Sequence, residues 1–197
     1  MPMCFAGRLL RALEAELDRW MLETRDLGLV PEPLYHELAG PDKPVKTLYE
    51  YAQQDGYPVA RLLAVAKAAS AGDPKNRSEY LAYLRDDHPA VRHWGAYGLF
   101  LLKAGGGEVV QALKKMAEAD AFAGNRVMAA QALAVCGDPE TAFRALLREA
   151  RAARHGAVLL QALNALQYSH TDDRLTREDW QAFKPFPDVP AKYHFMV

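Results

Sequence analysis

Two Gly-Asp-Pro triplets, at residues 72–74 and 137–139, each open a run whose apolar residues return at helical spacing, and this repetition decides most of what the chain can fold into. The runs are "GDPKNRSEYLAYLRD" and "GDPETAFRALLRE"; a third, "GGEVVQALKKMAEAD", lacks the signature but keeps the spacing. Aligned on Leu81, Leu113 and Leu146, they recur 32 and 33 residues apart. Each is followed by a second apolar run, "VRHWGAYGLFLL", "NRVMAAQALAVC" and "VLLQALNALQYS", in which Leu99, Leu133 and Leu166 fall 34 and 33 apart. A single helix pair cannot bury its apolar faces alone. Pairs recurring about every 33 residues stack into an α-α superhelix.

The second helices also share a small residue at matching places: Gly95, Ala129 and Ala162, with Gly98, Ala132 and Ala165 one turn on. Glycine costs a helix about 1 kcal/mol relative to alanine, so it persists where a neighbouring helix crosses too closely for a side chain. These glycines are expected to be packing positions. Arg92 and Arg126 match in the same alignment, and Asp87 precedes the first by five residues, which predicts an internal ladder joining neighbouring units.

Upstream, "GRLLRALEAELDRWMLETRDLG" predicts an amphipathic helix. Leu10, Leu13, Leu17 and Trp20 form its stripe, with Leu9 and Met21 flanking, and Gly28 is expected to stop it. A connector rich in Pro and Tyr follows, with short helices expected in "VKTLYEYAQQ" and "PVARLLAVAKAASAG". At the other end Thr176 and Asp179 predict a capped helix that closes the array. The expected fold is therefore all-α: a superhelix of HEAT-like helical repeats with an N-terminal amphipathic helix and a C-terminal cap helix. Residues 1–57 form the helix plus connector, 58–183 the array and 184–197 an extended tail, all within one compact unit.

Lys plus Arg, 24, nearly balance Asp plus Glu, 25, for a net charge of −1, so the basic excess of a nucleic-acid binder is missing and no such partner is expected. No run approaches the roughly 20 apolar residues of a bilayer span, so no membrane partner is expected, and no signal peptide is evident. The compartment stays open on these grounds. Cys4 and Cys136 form no ligand cluster, and Cys136 reads as a buried free thiol.

Catalytic motifs fail on inspection. "YHELAG" begins like a zinc-protease helix but has Gly40 where the second His belongs; "AGGGE" has no following Lys-Ser/Thr to hold phosphate. "DDH" at 86–88 and "HTDD" at 170–173 fall at helix ends, where Asp serves as a cap. No metal, no cofactor and no catalytic residue is expected, and the chain reads as a non-enzyme. Two surfaces remain. The second helices would line a concave groove, bringing Arg92, His93, Tyr97, Asn164, Tyr168 and His170 together as candidate binding residues. Leu10, Leu13, Leu17 and Trp20 would form a docking stripe for a protein, because such a stripe is buried on something.

"HPAVRHWGAYGLFLL" and "NRVMAAQALAVCGDPETA" resemble HEAT-type repeats, including the short variant of phycobilin lyases. "ELDRWMLETRDLGLVPEPLYHEL", joined to that array, resembles the C-terminal region of bacterial sulfatases of the arylsulfatase and heparan N-sulfatase-like group, over residues 8–183. In that group, the resemblance implies, the catalytic α/β domain uses a Cys or Ser in Cys/Ser-x-Pro-x-Arg together with a calcium site. Here "CFAGR" has Ala6 in place of the proline and no metal-binding segment, so no catalytic residue carries over. The resemblance thus implies a non-catalytic interaction module, either accessory to a missing catalytic domain and exported with it, or a free-standing relative. The alternative is a HEAT-like lyase or a small-ligand or saccharide binder using the groove.

Overall fold

The computed structural model describes residues 5–183, and all of its regular secondary structure is helical. α1 (Phe5–Glu23) leads into two 3-10 turns, Leu27–Leu29 and Glu32–Leu34. α2 (Tyr35–Leu38), α3 (Leu48–Gln53) and α4 (Val59–Ala71) follow. The repeat pairs are α5 (Arg77–Tyr83) with α6 (Pro89–Leu102), α7 (Gly107–Ala119) with α8 (Ala123–Cys136), and α9 (Pro139–Ala152) with α10 (Gly156–Tyr168). α11 (Arg177–Ala182) closes the described chain. None of these helices is long and apolar enough to cross a membrane.

α4, α6, α8 and α10 lie side by side as an inner layer, and α5, α7 and α9 pack behind them as an outer one. The inner layer is concave: the rings of Phe100 on α6 and Tyr168 on α10 come within 5.1 Å of each other across α8. This close stacking explains the small residues. A Cβ on Gly95 would sit 2.8 Å from Cβ of Tyr83 and 3.0 Å from the Tyr80 carbonyl oxygen, and one on Gly98 would lie 2.9 Å from the Tyr80 ring. Ala129 and Ala162 are fully buried at the corresponding places.

Tyr80 shifts the first repeat's register by one. It, and not Leu81, occupies the core position that Leu113 and Leu146 hold in the next two pairs; Leu81 is only half-buried. The larger side chain finds a polar partner there, its phenol donating to the Ala68 carbonyl on α4.

Helix ends follow local chemistry. Thr47 caps α3 by accepting from the Glu50 N–H at 3.1 Å, Asp138 caps α9 through the Thr141 N–H at 3.0 Å, and Gly72 closes α4 at φ +59°. Thr176 and Asp179 form the expected reciprocal box, and Arg151 of α9 reaches the same Asp179 carboxylate, pinning α11 to the end of the array. Gly28, in contrast, does not stop α1. Arg25 does, at φ +53°, with its guanidinium on the Ala52 carbonyl; Gly28 lies inside the next 3-10 turn, its N–H on Asp26 at 2.8 Å. The tail at 184–197 and Cys4 lie outside the described residues. Cys136 is a buried free thiol whose pKa burial pushes up to about 11, the expression of an inert structural cysteine.

The connector does not wander over the surface. Its buried Leu29, Val30 and Leu34 join Ala52, Tyr57, Leu62, Ala66 and Val91 in a second core beside that of the array. Trp94 packs against both cores and donates from Nε1 to the Leu29 carbonyl at 2.9 Å. Pro33 crosses α8 so closely that a Cβ on Gly124 would lie 2.7 Å from it.

Candidate binding surfaces

The six residues expected to line the groove separate into three environments. Arg92 is an internal strut. Its Nε and Nη2 grip the Asp120 carboxylate at 2.6 and 3.1 Å, and its Nη1 donates to the carbonyls of Asp86 and Asp87 at 2.8 and 3.0 Å. Arg126 repeats the arrangement one unit on, with Nη1 on the Asp120 carbonyl at 2.8 Å and Nη2 on Glu149 at 2.7 Å. The predicted ladder therefore exists, but its carboxylates come from the following unit. Asp87 contributes its carbonyl alone.

His93 is a core residue, 8% exposed, and so is not part of an open groove. It points inward because its position on α6 faces α8, where fully buried Asn125 donates to the Pro89 carbonyl at 3.0 Å. Burial lowers the imidazole's pKa to about 4, and neither Asn125 nor Asp120 reverses this. A neutral buried His must charge on acidification. In the unfolded chain it takes its proton near pH 6.5 and in the folded chain only near 4, so its stabilising contribution is complete above 6.5 and drains away as pH falls between the two. Stability should decline by on the order of 2–3 kcal/mol across that window, with His88, also lowered by burial, adding in the same direction. His93→Gln should flatten the slope in urea-unfolding free energy between pH 6.5 and 4.5; an unchanged slope removes His93 as its source.

Of the other four, Tyr97 and Tyr168 belong to one aromatic row. Tyr97 stacks edge-on against Trp94, with ring centroids at 5.6 Å, and lies 6.1 Å from Phe100, which passes the row on to half-exposed Tyr168. Asn164 and His170 are exposed, His170 at φ +53° just past α10. The structure thus joins Tyr97 to Tyr168 through Phe100 and leaves Arg92 and His93 out of that row.

The N-terminal ends of the inner helices are occupied by the connector. Glu37 accepts the Ala123 N–H of α8 at 2.9 Å, and the His36 ring lies parallel to that of His155 at 4.3 Å, ahead of α10. Burial raises the Glu37 pKa, offset by the Ala123 N–H and by Arg126. Between the 39–43 loop and these helix ends lies a cleft of about 600 Å³, lined in part by Glu37, Lys43, Arg126, Arg154 and His155. Sequence reasoning missed this grouping. "YHEL" attracts notice only as a failed zinc motif, and its partners lie far along the chain. Among the described residues, no three His, Cys, Asp or Glu side chains come together to hold a metal ion.

The α1 stripe is open. Leu9, Leu10, Leu13, Leu17 and Trp20 are 49, 58, 59, 53 and 53% exposed, and residues 8–17 are exposed on every side of the helix. Among the described residues, the contacts that fasten α1 fall towards its C-terminal end: Asp18 on Lys67 of α4, Met21 against the second core, and Arg25. Met21 therefore belongs to the anchored edge and not to the stripe. Compared with known proteins, the chain matches no protein-family model, no curated protein and no solved structure.

Proposed function

We propose that the chain is a non-catalytic helical-repeat interaction module that takes a protein partner on the stripe of α1. The observation that carries this reading is the exposure of five large apolar side chains in one line, on a helix whose residues 8–17 are all exposed. Soluble chains rarely leave such a line uncovered unless it serves an interface. The stripe is narrow and rod-like, which suits another amphipathic helix. The polar faces of α1 carry Glu14, Glu16, Asp18 and Glu23 against Arg8, Arg11 and Arg19, so the cationic excess that draws a helix to an anionic membrane is missing. The sequence resemblance to the sulfatase C-terminal extension supports the same class of role, an accessory body in a larger assembly.

The test pairs a folding measurement with a mapping one. Leu13→Asp/Leu17→Asp should leave the thermal melt of the array within about 0.5 kcal/mol of the parent, as surface substitutions do. In cross-linking of the intact chain in its native extract, adducts identified by mass should map to residues 8–20 and vanish in the double variant. Global unfolding of the variant, or adducts that map elsewhere, would overturn the reading. A second reading, a small-ligand or saccharide site in the groove, draws on the Tyr97–Phe100–Tyr168 row alone; Tyr97→Ala/Tyr168→Ala without effect on saccharide binding removes that support.

A further inference from the structure

We infer that a groove on the outer layer, between the end of α5 and α7, binds a small carboxylic acid with an apolar body, an acyl or arylalkyl acid. The site is separate from the α1 stripe and stands whether or not that stripe takes a protein. The groove encloses about 430 Å³, within the range of small-ligand sites. Leu84 and Met116, both buried, form its floor. Ala112 and Ala119 line the α7 wall with side chains too short to fill it. Between them the wall runs roughly 10 Å, at about 1.5 Å per residue, which is room for a short hydrocarbon chain.

Charge selects the ligand. Arg85 stands on the α5 side and Lys115 on α7, both exposed. Among the described residues neither has an ion pair or a side-chain hydrogen bond. Of the carboxylates beside them, Asp86 is taken by Arg61 and Asp120 by Arg92. Glu118 lines the next groove along, and Asp87 lines neither. Lys115 lies ahead of the last turn of α7, so the helix dipole does not account for it. Two cations therefore share one apolar recess with no free anion on its walls. A ligand carboxylate accepts from both, and its hydrocarbon covers the floor of Leu84 and Met116. A neutral molecule would leave the cations uncompensated, and a bare anion would leave the floor wet.

The neighbouring recesses lack this combination. In the next outer groove, between α7 and α9, Lys114 and Arg144 already pair with Asp138 and Glu140, and Glu118 adds a negative charge. In the cleft of about 600 Å³, Glu37, Asp42 and Glu149 answer Lys43, Arg126 and Arg154.

Octanoate titrated into the full chain, followed residue by residue in amide nitrogen–proton correlation spectra, tests the inference. Mapping by residue separates this groove from the α1 stripe, which an apolar anion also touches. The expected result is saturable shifts at residues 84–85 and 112–119 with a sub-millimolar Kd. Arg85→Gln/Lys115→Gln should weaken that binding at least tenfold with an unchanged thermal melt, since both side chains are exposed and unpaired. Octanol, the same body without the charge, should bind at least tenfold more weakly than octanoate. Absence of saturable shifts in the groove, an affinity indifferent to the Gln pair, or octanol binding as tightly as octanoate would overturn the carboxylate site.

Discussion

Replacing Arg92 with alanine should cost the chain about 3–5 kcal/mol of unfolding free energy, the penalty for leaving a buried charge without its partner. The carboxylate it would abandon belongs to Asp120, whose side chain is 3% exposed. Asp120 would keep the Phe122 N–H at 2.9 Å and Asn125 at 3.3 Å, neither of which brings a positive charge, and the carbonyls of Asp86 and Asp87 would lose a donor. Arg92→Lys restores the charge without the fork and should recover only part of the loss. Arg126→Ala provides the internal comparison. Its carboxylate, Glu149, is still held by Arg148 at 2.9 Å, so the cost should be about half as large. Urea denaturation of the three variants measures all of this. A cost below about 1 kcal/mol for Arg92→Ala would mean that the pair does not brace the repeats, and Arg92 would return to the groove as a ligand-binding candidate.

The order of those costs shows which parts of the fold could be read before the structure. The stacked pairs were legible because the constraint is local and repeats: Gly95, Ala129 and Ala162 are small for one reason, at one place in each unit. Arg92 and Arg126 were legible as a ladder for the same reason, although their carboxylates lie in the next unit and only geometry names them. Tyr80 escaped because alignment by leucines assumes a leucine at every core position. His93 read as a surface residue because histidine is polar; its burial depends on the α8 residue opposite, and nothing in the sequence pairs positions 93 and 125. The stripe of α1 was legible as apolar, but whether the array covers it is decided by where Asp18, Met21 and Arg25 anchor the helix. The connector was the least legible part. Glu37 meets Ala123 and His36 meets His155 through contacts that no periodicity encodes. A Pro-rich stretch looks like surface until the groove that receives it is known.

Trp94→Ala should cost about 3–5 kcal/mol and release the connector, because one side chain serves both cores. The ring packs between α6 and the segment carrying Leu29, and its Nε1 donates to the Leu29 carbonyl of that segment. Trp94→Phe separates these two roles. It keeps most of the packed ring and leaves the Leu29 carbonyl without its donor, for an expected cost of about 1–2 kcal/mol. Hydrogen exchange reports where each loss is felt. In Trp94→Ala the amides of residues 27–38 should exchange faster first, followed by the N-terminal turn of α8, since the Ala123 N–H relies on Glu37 from the same segment. The connector shares Leu62, Ala66 and Val91 with the array, so its release should lower the melting temperature of the whole chain and not produce a separate early transition. Two resolved transitions would instead make residues 24–46 a detachable strap over the inner face, and the concave surface beneath it a site that opens on demand.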